Sequence, residues 1–229
     1  MNIKNKDLGC RSIAYYNITW FLKSIMLIPM MIYHLCSTLS ESFSNPILKW
    51  CAIPLFILLL IWLSESCIIL FYVDKRRIKI YNGIIEKKIG YNEGIESVEK
   101  LLKLPISRVS CLEILFILSA IELRRLDFEK TKERLRKLQK VNEYYKGGVY
   151  FALLSDYYLL LISIYENNDV HMSVDRFLNK YNEVNNQYLI PFVNTVIHFS
   201  ERNYELFVSD ICKQNKNNDF LEGLMNKYS

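Results

Sequence analysis

Apolar residues run almost without interruption from Trp50 to Val73, WCAIPLFILLLIWLSESCIILFYV, and Glu65 is the only full charge among them. At about 1.5 Å of rise per helical residue this run is long enough to cross a hydrocarbon core about 30 Å thick. An earlier span, Ile13 to Leu39, is also mostly apolar; Lys23 interrupts it and Pro29 is placed to bend it. Residues 40–49, SESFSNPILK, are the polar gap between the two spans. Beyond Lys79 the pattern changes. Apolar positions recur at three- and four-residue spacing, as at Leu115 and Leu118 and again at Leu135 and Leu138, which is the period of amphipathic helices. Strand-like alternation is weak. The pattern predicts an all-α protein, a two-helix transmembrane hairpin followed by a domain of packed helices.

Charge sets the expected topology. Lys4, Lys6 and Arg11 precede the first span, and Lys75, Arg76, Arg77 and Lys79 follow the second, while the loop between the spans has only Lys49. Basic residues stay on the cytoplasmic side of a membrane. Both termini are therefore expected inside and the loop outside. The domains expected are a cytoplasmic lead (1–12), a hairpin (13–73, with spans 13–39 and 50–73 and outer loop 40–49) and a cytoplasmic helical domain (74–229). The first span continues past Lys23 without a small-x-small cleavage site, so it reads as a retained membrane helix and not as a signal peptide. The location expected is the plasma membrane of a bacterium.

Helix breakers after Lys79 are few and regularly placed, and four short stretches look alike: Gly90-Tyr91-Asn92-Glu93, Leu126-Asp127-Phe128-Glu129, Asn168-Asp169-Val170-His171 and Arg202-Asn203-Tyr204-Glu205. Each follows one helix-like run and opens another. Three residues beyond their hydrophobes Tyr91, Phe128, Val170 and Tyr204 come Gly94, Thr131, Ser173 and Phe207, small in three of the four stretches. Val98, Leu135, Phe177 and Ile211 then recur at the next inward position. A period of this size in helix pairs marks a stacked repeat. The array resembles the tetratricopeptide repeat family in degenerate form over roughly residues 76–217, best in Leu112–Gln139, where Leu115, Leu118, Ser119, Phe128, Thr131, Leu135 and Leu138 fit the helix-pair pattern. Leu161, Pro191 and Phe207 depart from it. The resemblance implies a helical solenoid that binds another protein or an extended peptide.

Composition adds limits. The chain has 229 residues, 51% hydrophobic and 23% charged, with a formal net charge of +5. That charge is too small and too dispersed for nucleic-acid binding but suits an anionic membrane leaflet. Six cysteines include no C-x-x-C pair and read as reduced, buried thiols; Cys36 and Cys51 bracket the outer loop and are the one pair placed to meet. No zinc-protease, nucleotide-binding or serine-nucleophile motif is present, and His34, His171 and His198 are scattered. No enzyme, cofactor or metal is expected.

Three sets of candidate residues remain. Glu65 and Lys23 are the lone charges deep in their spans, and a carboxylate in lipid is costly unless paired, so they are expected to form an intramembrane ion pair. Lys75, Arg76, Arg77 and Lys79, with Lys130, Arg134 and Lys137 of the basic helix that begins at Phe128, are candidates for contact with acidic lipid or an acidic partner; for the latter three a solvated face is the favoured reading. Tyr150, Tyr157 and Tyr158 are candidates to line a peptide groove. The function expected is a membrane-anchored adaptor that binds a protein or peptide at the cytoplasmic face. The rival is a bacteriocin-immunity-like or transporter-accessory membrane protein in which the hairpin, through Glu65 and Lys23, is the active part.

Overall fold

The computed structural model describes residues 17–25, 27, 64, 67–68, 71–104, 106–145, 148–214 and 219–228. Among them every regular element is helical. Helical residues 17–25 and 71–85 are followed by α1 (Tyr91–Leu101), α2 (Arg108–Arg124), α3 (Phe128–Tyr144), α4 (Val149–Tyr165), α5 (His171–Tyr181), α6 (Ile190–Ser200), α7 (Tyr204–Gln214) and α8 (Asp219–Tyr228). Among the described residues no helix is long and apolar enough to cross a membrane. Most of the two apolar spans, together with the lead 1–12, the loop 40–49, Glu65, Cys36 and Cys51, lies outside the described residues.

The chain forms two compact units, Met1–Cys111 and Leu112–Ser229. The boundary expected at residue 74 falls inside the continuous helix 71–85. In the first unit Val73, Ile80 and Ile84 are buried, as are Val98 and Leu101 of α1. α1 passes close to the preceding helix because Gly94 has no side chain: a Cβ there would run into Ile84.

The second unit is built on α4, which is apolar nearly throughout and buries Leu153, Leu154, Tyr157, Leu160, Leu161, Ile162 and Ile164. Each such side chain contributes about 1.5–3 kcal/mol on leaving water, so α4 is the main apolar anchor. From α3 onward every helix packs against the next in sequence. α3 turns Thr131, Leu135, Leu138, Val141 and Asn142 inward. The last helix returns to the turns. Phe220 of α8 packs on Phe128 and Tyr165 at 5.8 and 5.4 Å between ring centroids, and Tyr228 packs on Phe199, Tyr204 and Phe207. Gly223 lets α8 lie this near, since a Cβ would come within 2.8 Å of the Tyr165 ring. Lys227 Nζ then donates to the carbonyls of Ile164 and Tyr165, at 2.6 and 3.1 Å, at the end of α4.

The four alike stretches share one backbone turn. Lys87, Leu126, Asn167 and Arg202 all have positive φ, between 58° and 60°. At each the following amide closes onto the carbonyl five residues back: Lys88 to Gly83, Asp127 to Glu122, Asn168 to Ser163 and Asn203 to His198. The positive-φ residue itself bonds three back, to Ile84, Leu123, Ile164 and Phe199. This pair of bonds is the Schellman closure of a helix. The turns are 39, 41 and 35 residues apart. At Asp127 and Asn203 the next residue already starts the following helix, with its side chain accepting from Lys130 N and Leu206 N.

The inward positions Val98, Leu135, Phe177 and Ile211 are all buried. One register differs. Ser173 is exposed and Val174 takes the inward place, because Val170 stands before its helix as the N-cap, whereas Tyr91, Phe128 and Tyr204 each start theirs. Pro191 does not interrupt α6; it stands in the first turn, where no amide is needed. Phe207, large where the repeat pattern prefers a small residue, is fully buried against Phe199 and Tyr228. Cys67 and Cys212 are exposed, against the expectation of buried thiols, while Cys111 is buried. Cys67 lies on an outward position of an apolar segment, and Cys212 on the rim beside Met225.

Positive φ costs a residue with a Cβ roughly 1–2 kcal/mol, a cost glycine avoids. Arg202, exposed at such a turn, is the cleanest test. Arg202→Gly is expected to stabilise the unit by up to about 1 kcal/mol and Arg202→Val to destabilise it by at least as much, read by urea unfolding followed by circular dichroism.

Candidate functional site

α3 carries bases all round, and the fold sorts them into two rows on opposite sides of the helix. Residues four and seven apart share a face. Lys130, Arg134 and Lys137 form one row; Lys132, Arg136 and Gln139 form the other, on the far side of the buried stripe Thr131–Leu135–Leu138.

The first row faces the end of α2. Lys130 binds Asp127 at 3.1 Å. Burial raises the Asp127 carboxyl, but the hydrogen bonds and charge of Lys130 outweigh it and hold the group below its ordinary range. Beside them lies Glu122, buried, with Oε2 receiving no hydrogen bond and Arg125 at 3.7 Å. Burial raises the Glu122 carboxyl, and the charges of Lys130, Arg125 and Arg134 oppose it. Lys130 and Arg134 therefore spend their charge on the protein's own carboxylates.

The second row opens on a cleft of about 550 Å³. α3 supplies one wall through Lys132, Arg136 and Gln139. α5 supplies the other through Ser173, Arg176, Phe177 and Lys180. The floor is α4, with Asp156, Leu159, Leu160 and Ser163. Asp156 accepts from all sides: Gln139 Nε2 on one oxygen, Lys180 Nζ at 2.7 Å and the Tyr181 hydroxyl at 2.6 Å on the other. Burial first, and then Asp156, pushes the Tyr181 phenol far above its ordinary range, so it is a fixed donor. Lys132 Nζ donates to both oxygens of Glu166 at 2.9 Å and also reaches Glu129. The Glu166 carboxylate holds the Lys132 ammonium above its ordinary range. Among the described residues, Arg136 and Arg176 have no carboxylate partner; both are exposed.

The other candidate residues are dispersed. Tyr157 is fully buried in the core, against Phe177 and Phe192, so it lines no groove: α4 is apolar nearly throughout and has no polar face to mark its outside. Tyr158 is half-buried against Phe116. Tyr150 is exposed at the start of α4, in the lining of a second cavity of about 920 Å³. Lys75, Arg76 and Lys79 are exposed on helix 71–85, and Arg77 binds Asp74 at 3.2 Å. Lys23 is buried; its expected partner Glu65 lies outside the described residues. His198 Nδ1 stands 2.9 Å from Asp210 and ties α6 to α7. No group of three metal-ligating side chains occurs among the described residues.

Sequence reasoning missed Arg176, Lys180 and the role of Asp156. The only signal available was the four-residue spacing of Arg176 and Lys180 on one helix face. Asp156→Ala is expected to destabilise the second unit by about 2 kcal/mol, because it leaves the Tyr181 hydroxyl buried without its acceptor. Asp156→Asn, which keeps an acceptor, is expected to cost less. Thermal unfolding of both variants checks the order, and equal stability of Asp156→Ala and parent would contradict it.

Compared with protein-family models, curated proteins and solved structures, the chain gives no match.

Proposed function

We propose that this chain is a membrane-anchored adaptor, in which an apolar hairpin tethers an array of helix pairs that binds a protein or peptide at the cytoplasmic face. One observation carries the anchor: burial in the described parts of the two apolar spans is inverted. Lys23 is 2% exposed, whereas its neighbours Ile18, Phe21 and Leu22 are 57%, 65% and 47% exposed. Beyond the second span's centre Ile68 and Phe71 are 65% and 69% exposed. In water that arrangement leaves Ile18, Phe21, Leu22, Ile68 and Phe71 unburied and desolvates an ammonium as well. In lipid it is the favoured one, since apolar side chains face the tails and a charge is kept inside with a partner. In this reading Glu65 holds Lys23 and fixes the register of the hairpin.

The adaptor part draws support from the repeated turns. Four closures of one kind, 39, 41 and 35 residues apart, are what a tetratricopeptide-like array of uneven repeats would have. Stacked helix pairs present long surfaces and few enclosed pockets, which suits binding of a partner better than catalysis.

Two measurements test the anchor. After alkaline carbonate extraction of membranes, the full chain is expected in the pellet. A Ser44→Cys probe is expected to react with an impermeant maleimide from outside intact cells, while a tag after Ser229 stays protected. Release by carbonate would overturn the anchor, and a protected Ser44→Cys with an accessible tag would reverse the topology.

A further inference from the structure

The cleft over α4 has a charge account that does not close within the protein. Four cations line it: Lys132, Arg136, Arg176 and Lys180. Two are neutralised locally, Lys180 by Asp156 and Lys132 by Glu166, and both bonds are short. The two guanidinium groups are left over, one on each wall, with no carboxylate partner among the described residues. Their neighbours are held in place. Asp156 fixes Lys180, Gln139 and Tyr181, so the wall positions are set before any ligand arrives.

We infer that this cleft is the docking groove for an acidic segment of a partner protein, held across its width by Arg136 and Arg176. The chemistry follows from the residue type. A guanidinium presents parallel N–H donors that match a carboxylate, and such bonds are about twice as strong as neutral ones. Apolar floor residues Leu159 and Leu160 keep water away from one side and strengthen the attraction. The shape selects a chain. Lys132 to Gln139 on α3 and Ser173 to Lys180 on α5 each span eight residues of helix, seven steps or about 10 Å at about 1.5 Å per residue. That length holds about three residues of extended peptide at about 3.3 Å each. A lipid headgroup offers its charge at one point and would leave most of this length empty. A nucleic-acid strand would need exposed rings to stack on, and among the described residues the one ring in the lining, Phe177, is buried. The inference rests on the adaptor reading and names the chemistry of its partner. It also moves the contact from Lys130, Arg134 and Lys137 to the opposite row.

The test uses the full chain purified in nonionic detergent. The probe is a short fluorescein-labelled peptide with three consecutive glutamates, with a glutamine version as control, followed by fluorescence anisotropy. The glutamate peptide is expected to bind at least about tenfold more tightly than the glutamine peptide, and to weaken as salt is raised. Arg136→Gln with Arg176→Gln should lose at least about tenfold in affinity. Arg136→Lys with Arg176→Lys, which keeps the charge and loses the fork, should fall between. Lys130→Gln with Lys137→Gln makes the same charge change on the other row and should leave the affinity nearly unchanged. All four arginine and lysine side chains lie at least partly outside the core, so helical circular dichroism should match the parent in each variant. Equal loss in the two glutamine double variants would reduce the effect to net charge and overturn the groove, as would equal affinity for both peptides. Displacement of the peptide by glycerophosphoglycerol, where free glutamate fails to displace it, would assign the cleft to a lipid headgroup and overturn the inference too. None of these outcomes bears on carbonate extraction, so the groove and the anchor fail separately.

Discussion

The carboxylate of Asp156 is the interaction that joins three consecutive helices of the second unit. It sits half-buried on α4 and takes donors from the helices on either side, Gln139 on α3 and both Lys180 and Tyr181 on α5. A buried carboxylate is stable only when its acceptor sites are filled, and here three donors fill them. The bonds fix how far α3 and α5 stand apart across α4. They also engage Lys180, while the guanidinium groups of Arg136 and Arg176 have no carboxylate partner among the described residues.

Around that centre the fold is propagated by one local device. A helix closes with a positive-φ residue, and the next helix starts two or four residues on. Such a turn needs little chain, so consecutive helices are forced to pack on each other and the contacts stay local. The residues at these turns are Lys, Leu, Asn and Arg, so three of the four carry a strain that glycine or asparagine would lower. α8 ends the series by lying against the turns themselves. Phe220 joins Phe128 to Tyr165, and Lys227 takes the last carbonyls of α4. Burial holds the Lys227 ammonium below its ordinary range, the cost of bringing a cation to that edge.

The helices and the turns were legible in the sequence because both follow from short-range rules: three- and four-residue apolar spacing, and a hydrophobe set just past each break. Leu126 and Arg202 were found through that pattern although neither is a glycine. What was not legible depends on the third dimension. The pattern points to Ser173 where the structure has Val174, because Val170 caps its helix and does not start it, and no local signal marks that one-residue difference. Tyr157 was taken for a surface residue because α4 is apolar all round and its helical period has no polar face to mark the outside. The basic helix α3 was read as a ring of charge. Only the positions of Glu122 on one side and of Asp156, Arg176 and Lys180 on the other tell its two rows apart.

The membrane anchor is the claim that gives the helical units their place, and the chain contains its own reporters for it. All three tryptophans, Trp20, Trp50 and Trp62, lie in the two apolar spans, and none lies after Val73. Full chain reconstituted into vesicles with lipids brominated on the acyl chains therefore reads the anchor alone by its intrinsic tryptophan fluorescence. The account predicts blue-shifted emission that brominated lipid quenches strongly and a water-soluble quencher such as iodide barely affects. Red-shifted emission, open to iodide and indifferent to brominated lipid, would contradict it.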